Sequence, residues 1–143
     1  MSKMLAAARG DEPQSGVFLR GVPSKVVLVV EADDEARALL VRSLSGEYTV
    51  HAAHGAMEAA HMLGTFAAPD VILVSAALPD VDGLSFVRSL RTFAALERVP
   101  VIFMTPERDG RLLARAIGHG ARHCLTKPVQ EAELLRRVRA CTP

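Results

Sequence analysis

The sequence predicts an α/β fold: five parallel strands in one sheet, with helices covering both faces. Two observations carry this. Short unbroken runs of Val, Ile and Leu recur along the chain (VVLVV from Val26, VILV from Val71, VIFM from Val101), and such runs mark strands covered on both sides. Between them lie longer stretches whose apolar residues fall at helical spacing. A chain that alternates strand and helix in this way builds a parallel sheet with right-handed crossovers. A length of 143 residues, half of them hydrophobic and 23% charged, suits one such domain with a real core.

Residues 1–23 hold Gly10, Pro13, Gly16, Gly21 and Pro23 among scattered charges and no sustained period. They are expected to form a flexible arm, with Val17, Phe18 and Leu19 as its one apolar cluster. The domain is expected over 24–141. Its first strand is Val26–Val30, followed by a helix over 32–45 with Ala36, Leu39, Leu40 and Leu44 inward and Gly46 ending it. A second strand over 48–53 leads to a helix over 56–66 that turns Met57, Ala60 and Leu63 or Gly64 to the core. The third strand, 71–74, is followed by a loop bracketed by Pro79 and Gly83. A helix over 84–95 then sets Leu84, Val87, Leu90 and Leu96 in line. Strand 101–104, helix 107–117, strand 123–125 and helix 129–139 complete the series.

Composition excludes several classes. Seventeen Lys and Arg against sixteen Asp and Glu leave a net charge of +1, too weak to advertise nucleic acid or an acidic membrane. No apolar run approaches the roughly 20 residues of a membrane span, and the first ten residues do not read as a secretory signal. Two cysteines, Cys124 and Cys141, make no disulfide framework and fit a reducing cytoplasm.

In doubly wound sheets the functional crevice lies at the carboxyl ends of the strands. There this sequence places Glu31-Ala32, Ser75, Thr105 and Thr126-Lys127-Pro128. The segments VVLVVEADDEARALL, PDVILVSAALPDVDGLSFVRSLR, VPVIFMTPE and GARHCLTKPVQEAELLRRV, in this order and spacing, resemble the receiver domain of bacterial two-component response regulators. The resemblance runs from Lys25 to Ala140. It implies a flavodoxin-like (βα)5 fold in strand order 2-1-3-4-5 and a site that accepts a phosphoryl group from a histidine kinase. Such a site has two adjacent acids after the first strand and an acceptor Asp after the third. A Thr or Ser after the fourth and a Lys before Pro after the fifth complete it. The carboxylates hold Mg²⁺, a hard cation that wants oxygen ligands and offsets phosphoryl charge during in-line attack.

Set against that pattern, the departures fall where the chemistry is. The acid pair is Glu31-Ala32, so one carboxylate is missing. Counted back from Pro79 and Asp82-Gly83, the acceptor position is Ser75, a poor nucleophile without a base to take its proton. Thr105 and Lys127 are kept, and the aromatic switch position on the fifth strand corresponds to Cys124. The expectation is a degenerate receiver with no catalytic residue, cofactor or metal. Lys127 is expected to pair with Glu31 across the pocket. Two alternatives stay open: a receiver still phosphorylated with Mg²⁺ through displaced acids, and an anion or small-ligand sensor using the emptied pocket.

Other signals read as structural. Asp33 and Asp34 suit the start of the first helix electrostatically, and Asp80 and Asp82 suit a turn. Thr105 reads equally as a switch residue or as the N-cap of the fourth helix, with Pro106 at its first position. His51, His54 and His61 do not share a face, Cys124 reads as a packing residue, and Ser75 lacks the G-x-S-x-G elbow of hydrolases.

One charge asymmetry stands out. Residues 105–143 carry eight Lys and Arg against four Asp and Glu, net +4, while residues 1–104 net −3. Arg108, Arg111, Arg115, Arg122, His123, Arg136 and Arg137 fall on the fourth helix, fifth strand and fifth helix. In receivers that face is the usual partner or dimer surface. Docking to an acidic protein surface is the functional expectation, with homodimerisation through the same face or a fused effector domain as the other options. A solvated basic face is the structural one. No residues here supply a helix-turn-helix, so no direct nucleic-acid contact is expected.

Overall fold

In the computed structural model, residues 25–106 and 108–143 are described; the expected arm and Glu107 lie outside them. Five parallel strands, β1 (Val26–Val30), β2 (Thr49–Ala53), β3 (Val71–Ser75), β4 (Val101–Thr105) and β5 (Ala121–Thr126), pair in the order β2-β1-β3-β4-β5. The helices between and after them are α1 (Asp34–Leu44), α2 (Ala56–Thr65), α3 (Gly83–Leu90), α4 (Gly110–Gly118) and α5 (Glu131–Cys141). The flavodoxin-like order implied by the sequence is therefore the order observed.

Side chains alternate across each strand, and the core divides accordingly. Val27, Val29, Val71, Leu73, Ile102 and Met104 pack with Leu40 and Leu44 of α1 and Leu134 and Val138 of α5. Leu28, Val30, Ile72, Val74 and Phe103 pack with Ala59 of α2, Leu84 and Val87 of α3 and Ala116 of α4 on the other face. Every residue of β3 and β4 is buried, which is why these segments read as continuous apolar runs.

Several expectations are corrected. Leu39 is 48% exposed and Met57 72% exposed; Ala60 and Gly64 also face solvent. In α2 the inward line is Ala56 and Ala59, with Met62 and Leu63 partly buried, because small side chains let this helix lie close on the sheet. The third helix stops at Leu90 rather than running to residue 95. Arg91, Thr92 and Phe93 donate to the carbonyls three residues back, and a single 3₁₀ turn, Ala94–Leu96, buries Leu96. Thr105 is not a helix cap: it ends β4, and α4 starts at Gly110 with Asp109 as N-cap, its carboxylate accepting from the amides of Arg111 and Leu112. The N-cap preference of the acid in the later turn displaces the Thr-Pro start.

Candidate functional site

The carboxyl ends of β1, β3, β4 and β5 bring together Glu31, Ser75, Thr105 and Lys127. Glu31, Ser75 and Thr105 are buried, at 2%, 0% and 1% exposure, whereas the Lys127 side chain keeps 24% of its surface. Lys127 Nζ donates to Oε1 of Glu31 at 2.6 Å and to Oγ of Ser75 at 2.9 Å. One ammonium thus spans the crevice from the first strand to the third. The second carboxylate oxygen of Glu31 accepts the amide of Asp33 at 3.0 Å, so both oxygens of this buried acid are occupied. The expected Glu31–Lys127 pair is present, and Ser75 is joined to it.

Local sequence explains how each group arrives. Arg37, one turn into α1, donates to the carbonyls of Glu31 at 2.9 Å and Ala32 at 3.3 Å, fixing the chain where it leaves β1. Asp33 caps α1 by accepting the amide of Ala36. Lys127 is held by its own amide, which donates to the Thr105 carbonyl at 2.8 Å, and precedes a cis bond to Pro128. After β3 the chain folds back so tightly that a Cβ on Gly83 would stand 2.0 Å from the Ser75 carbonyl oxygen. Only glycine fits there.

The other acids near the strand ends, Asp80, Asp82 and Asp34, have partners of their own. Asp80 reaches across to the start of α2 and accepts the amides of Ala56 (3.0 Å), Met57 (2.9 Å) and Val81. Those amides, Met57's first, hold its carboxyl below the usual carboxylate range. Asp82 caps α3 through the amide and hydroxyl of Ser85, which lower its pKa likewise. Asp34 pairs with Arg37 at 2.6 Å and is exposed. Among the described residues, no group of three or more His, Cys, Asp and Glu converges to hold a metal ion. His51 packs against Phe66, ring centroids 4.6 Å apart, while His54 faces Glu58 at 2.6 Å.

Away from the crevice, Cys124 is partly buried against the core and burial pushes its thiol up, the setting of a packing residue. Beside it His123 is held below the ordinary histidine value by burial, then by the charges of Arg137 and Arg122. Arg108, Arg111, Arg115, Arg122 and Arg136 are exposed, and Arg137 is half-buried near Glu133 at 3.9 Å. Sequence reasoning missed Arg37, the reach of Asp80 to α2, and Arg91, because each works through backbone groups that no side-chain pattern marks.

A doubly wound (βα)5 sheet with a threonine and a lysine at its crevice matches the signalling-receiver arrangement that the sequence resembles. The response regulator receiver domain profile matches residues 27–139, and the chain belongs to that family. It is 35% identical over 115 residues to response regulator MprA of Mycobacterium ulcerans, covering 80% of this chain and 48% of that protein. It is 29% identical over 133 residues to two-component response regulator ORR1 of Oryza sativa subsp. indica, covering 87% and 57%. The chain therefore spans about half the length of these curated relatives. Among solved structures, the receiver domain of an HD domain-containing protein from Pseudomonas fluorescens Pf-5 is similar at a TM-score of 0.75 and 28% identity, covering 82% of this chain and 93% of that one. Among the described residues no helix is long and apolar enough to cross a membrane.

Proposed function

We propose that this receiver signals without aspartyl phosphorylation, through protein contacts of its own or of a domain joined to it. The observation that carries the reading is the Glu31–Lys127–Ser75 chain of hydrogen bonds. The lysine that would bind a phosphoryl oxygen is already paired with a carboxylate, and its second partner is a hydroxyl where the reaction needs a carboxylate. A Mg²⁺ ion wants several oxygen donors. Here Ala32 offers a methyl group, Ser75 a fully buried hydroxyl, and Glu31 a carboxylate holding an ammonium and an amide. These residues do not fit the ion.

The output surface in this reading is the basic face of α4, β5 and α5, with Ile117 standing 52% exposed among the arginines. An isologous dimer through this face would set like charges against each other, which favours a distinct acidic protein as partner. A cytoplasmic place for the protein belongs to the same reading. Incubation with acetyl phosphate and Mg²⁺, followed by intact mass spectrometry, tests it: no phosphoryl adduct is expected. An adduct mapped to Asp33, Asp34, Asp80 or Asp82 would overturn the reading in favour of displaced-acid chemistry.

A further inference from the structure

At the amino ends of β4 and β5, the opposite end of the sheet from Lys127, lies an open cleft of about 800 Å³. Its walls carry Arg88, Arg91, Arg98, Arg122 and His119, against one acid, Glu97. We propose that this cleft binds the phosphate chain of a small oligophosphate.

Ordinary structural duties account for only some of these cations. Arg91 is a clamp: Nη1 donates to the carbonyls of Leu96, Glu97 and Val99, and Nη2 donates to that of Gly120 at 2.9 Å. Gly120 has φ +102°, and a Cβ there would stand 2.7 Å from Arg91 Nε, so the clamp and the turn require each other. Arg88 lies in the last turn of α3, where a cation offsets the negative helix end. Arg122, within β5, lies against the Cys141 thiol, whereas Arg98, in the loop before β4, serves no such purpose. Arg88 and Arg98 are exposed and make no ion pair with a described residue.

Four guanidinium groups therefore line one concavity with a single carboxylate, and of these Arg88 and Arg98 keep their forks free of any described partner. Burial, and then the charge of Arg122, hold the Arg91 guanidinium below its ordinary range. The ligand chemistry follows from the shape and the lining. Planar guanidinium forks match phosphate oxygens two at a time, and several forks in a row match several linked phosphates. The volume falls within the range of small-molecule sites. No Phe or Tyr lines the cleft, and His119 is the one aromatic ring on its walls. Recognition is thus of the phosphates, with a nucleoside at their end adding little.

Isothermal titration of the full chain at low salt tests this with sodium tripolyphosphate, ATP and sulfate. Tripolyphosphate is expected to bind at one saturable site, ATP within a few-fold of it, and sulfate far more weakly. Arg88→Gln with Arg98→Gln, both exposed positions, should weaken tripolyphosphate about tenfold or more. Arg111→Gln with Arg115→Gln, on α4 outside the cleft, should leave it unchanged. Equal losses in the two double variants would mean diffuse charge and overturn the site. So would the absence of saturable binding at millimolar tripolyphosphate. Binding of an RNA oligomer or an acidic peptide without tripolyphosphate would overturn it in favour of a macromolecular surface.

Discussion

Lys127 and Glu31 are 96 positions apart in sequence and 2.6 Å apart in the crevice. Because the carboxylate is buried and the ammonium partly so, each sets the condition for the other. An acid with 2% exposure is tolerated only with a cation and an amide on its oxygens.

Replacing Lys127 with Met removes that cation and leaves Glu31 charged in a buried place. The expected loss is about 3 kcal/mol of unfolding free energy. Glu31→Gln in the same background should recover much of it, since the double variant no longer buries a lone charge. Urea denaturation of the two single variants and the double variant closes the cycle. Additive losses would contradict the pairing.

Gly83 lets the chain after β3 fold back against the Ser75 carbonyl. Gly83→Ala forces a Cβ to 2.0 Å from that oxygen, and a loss above about 3 kcal/mol is expected. Gly46→Ala, where nothing lies within 4 Å, should change little. Thermal melts of the two variants decide this, and similar melting temperatures would contradict the close approach.

The pH dependence has a defined sign. His51 and His123 are both held below the ordinary histidine value, chiefly by burial. The unfolded chain therefore binds protons more readily than the folded one. Their contribution is fully present above about pH 6.5 and is lost as pH falls through the lower folded-state values. Asp80 and Asp82, also lowered, lose theirs only further down, through the acid end of the carboxylate range. Denaturation midpoints from about pH 7 to pH 5 should fall in the wild type. They should stay flatter in His51→Gln with His123→Gln.

Restoring the missing acids should restore the ion. Ala32→Asp with Ser75→Asp places three carboxylates around Lys127, which costs stability without metal because like charges converge. Mg²⁺ should raise the melting temperature of this variant and leave the wild type unchanged. A variant indifferent to Mg²⁺ would mean that more than these two residues separates the pocket from a metal site.

Much of this architecture could be read from the residues. Runs such as Val71–Ser75 are legible because burial on both faces demands unbroken apolarity, and the crevice follows from the strand ends. The placement of Glu31, Ser75, Thr105 and Lys127 needed only the alternation of strand and helix. Helix faces were less legible. In α2 the deciding side chains are the alanines Ala56 and Ala59, too small to stand out beside Met57. The early end of α3 and the late start of α4 depend on Arg91 and Asp109, whose partners are backbone groups that no periodicity reveals. Asp80 shows the same limit: a turn residue by sequence, it caps a helix 23 positions earlier.

The central claim is that the pocket built on Glu31, Ser75, Thr105 and Lys127 no longer performs phosphorylation chemistry. An NMR amide titration with Mg²⁺, followed by beryllofluoride as a mimic of the aspartyl phosphate, addresses it directly. No saturable shifts at these four residues are expected in the wild type. Saturable shifts spreading from the pocket to α4 and β5 would show a working switch and contradict the account.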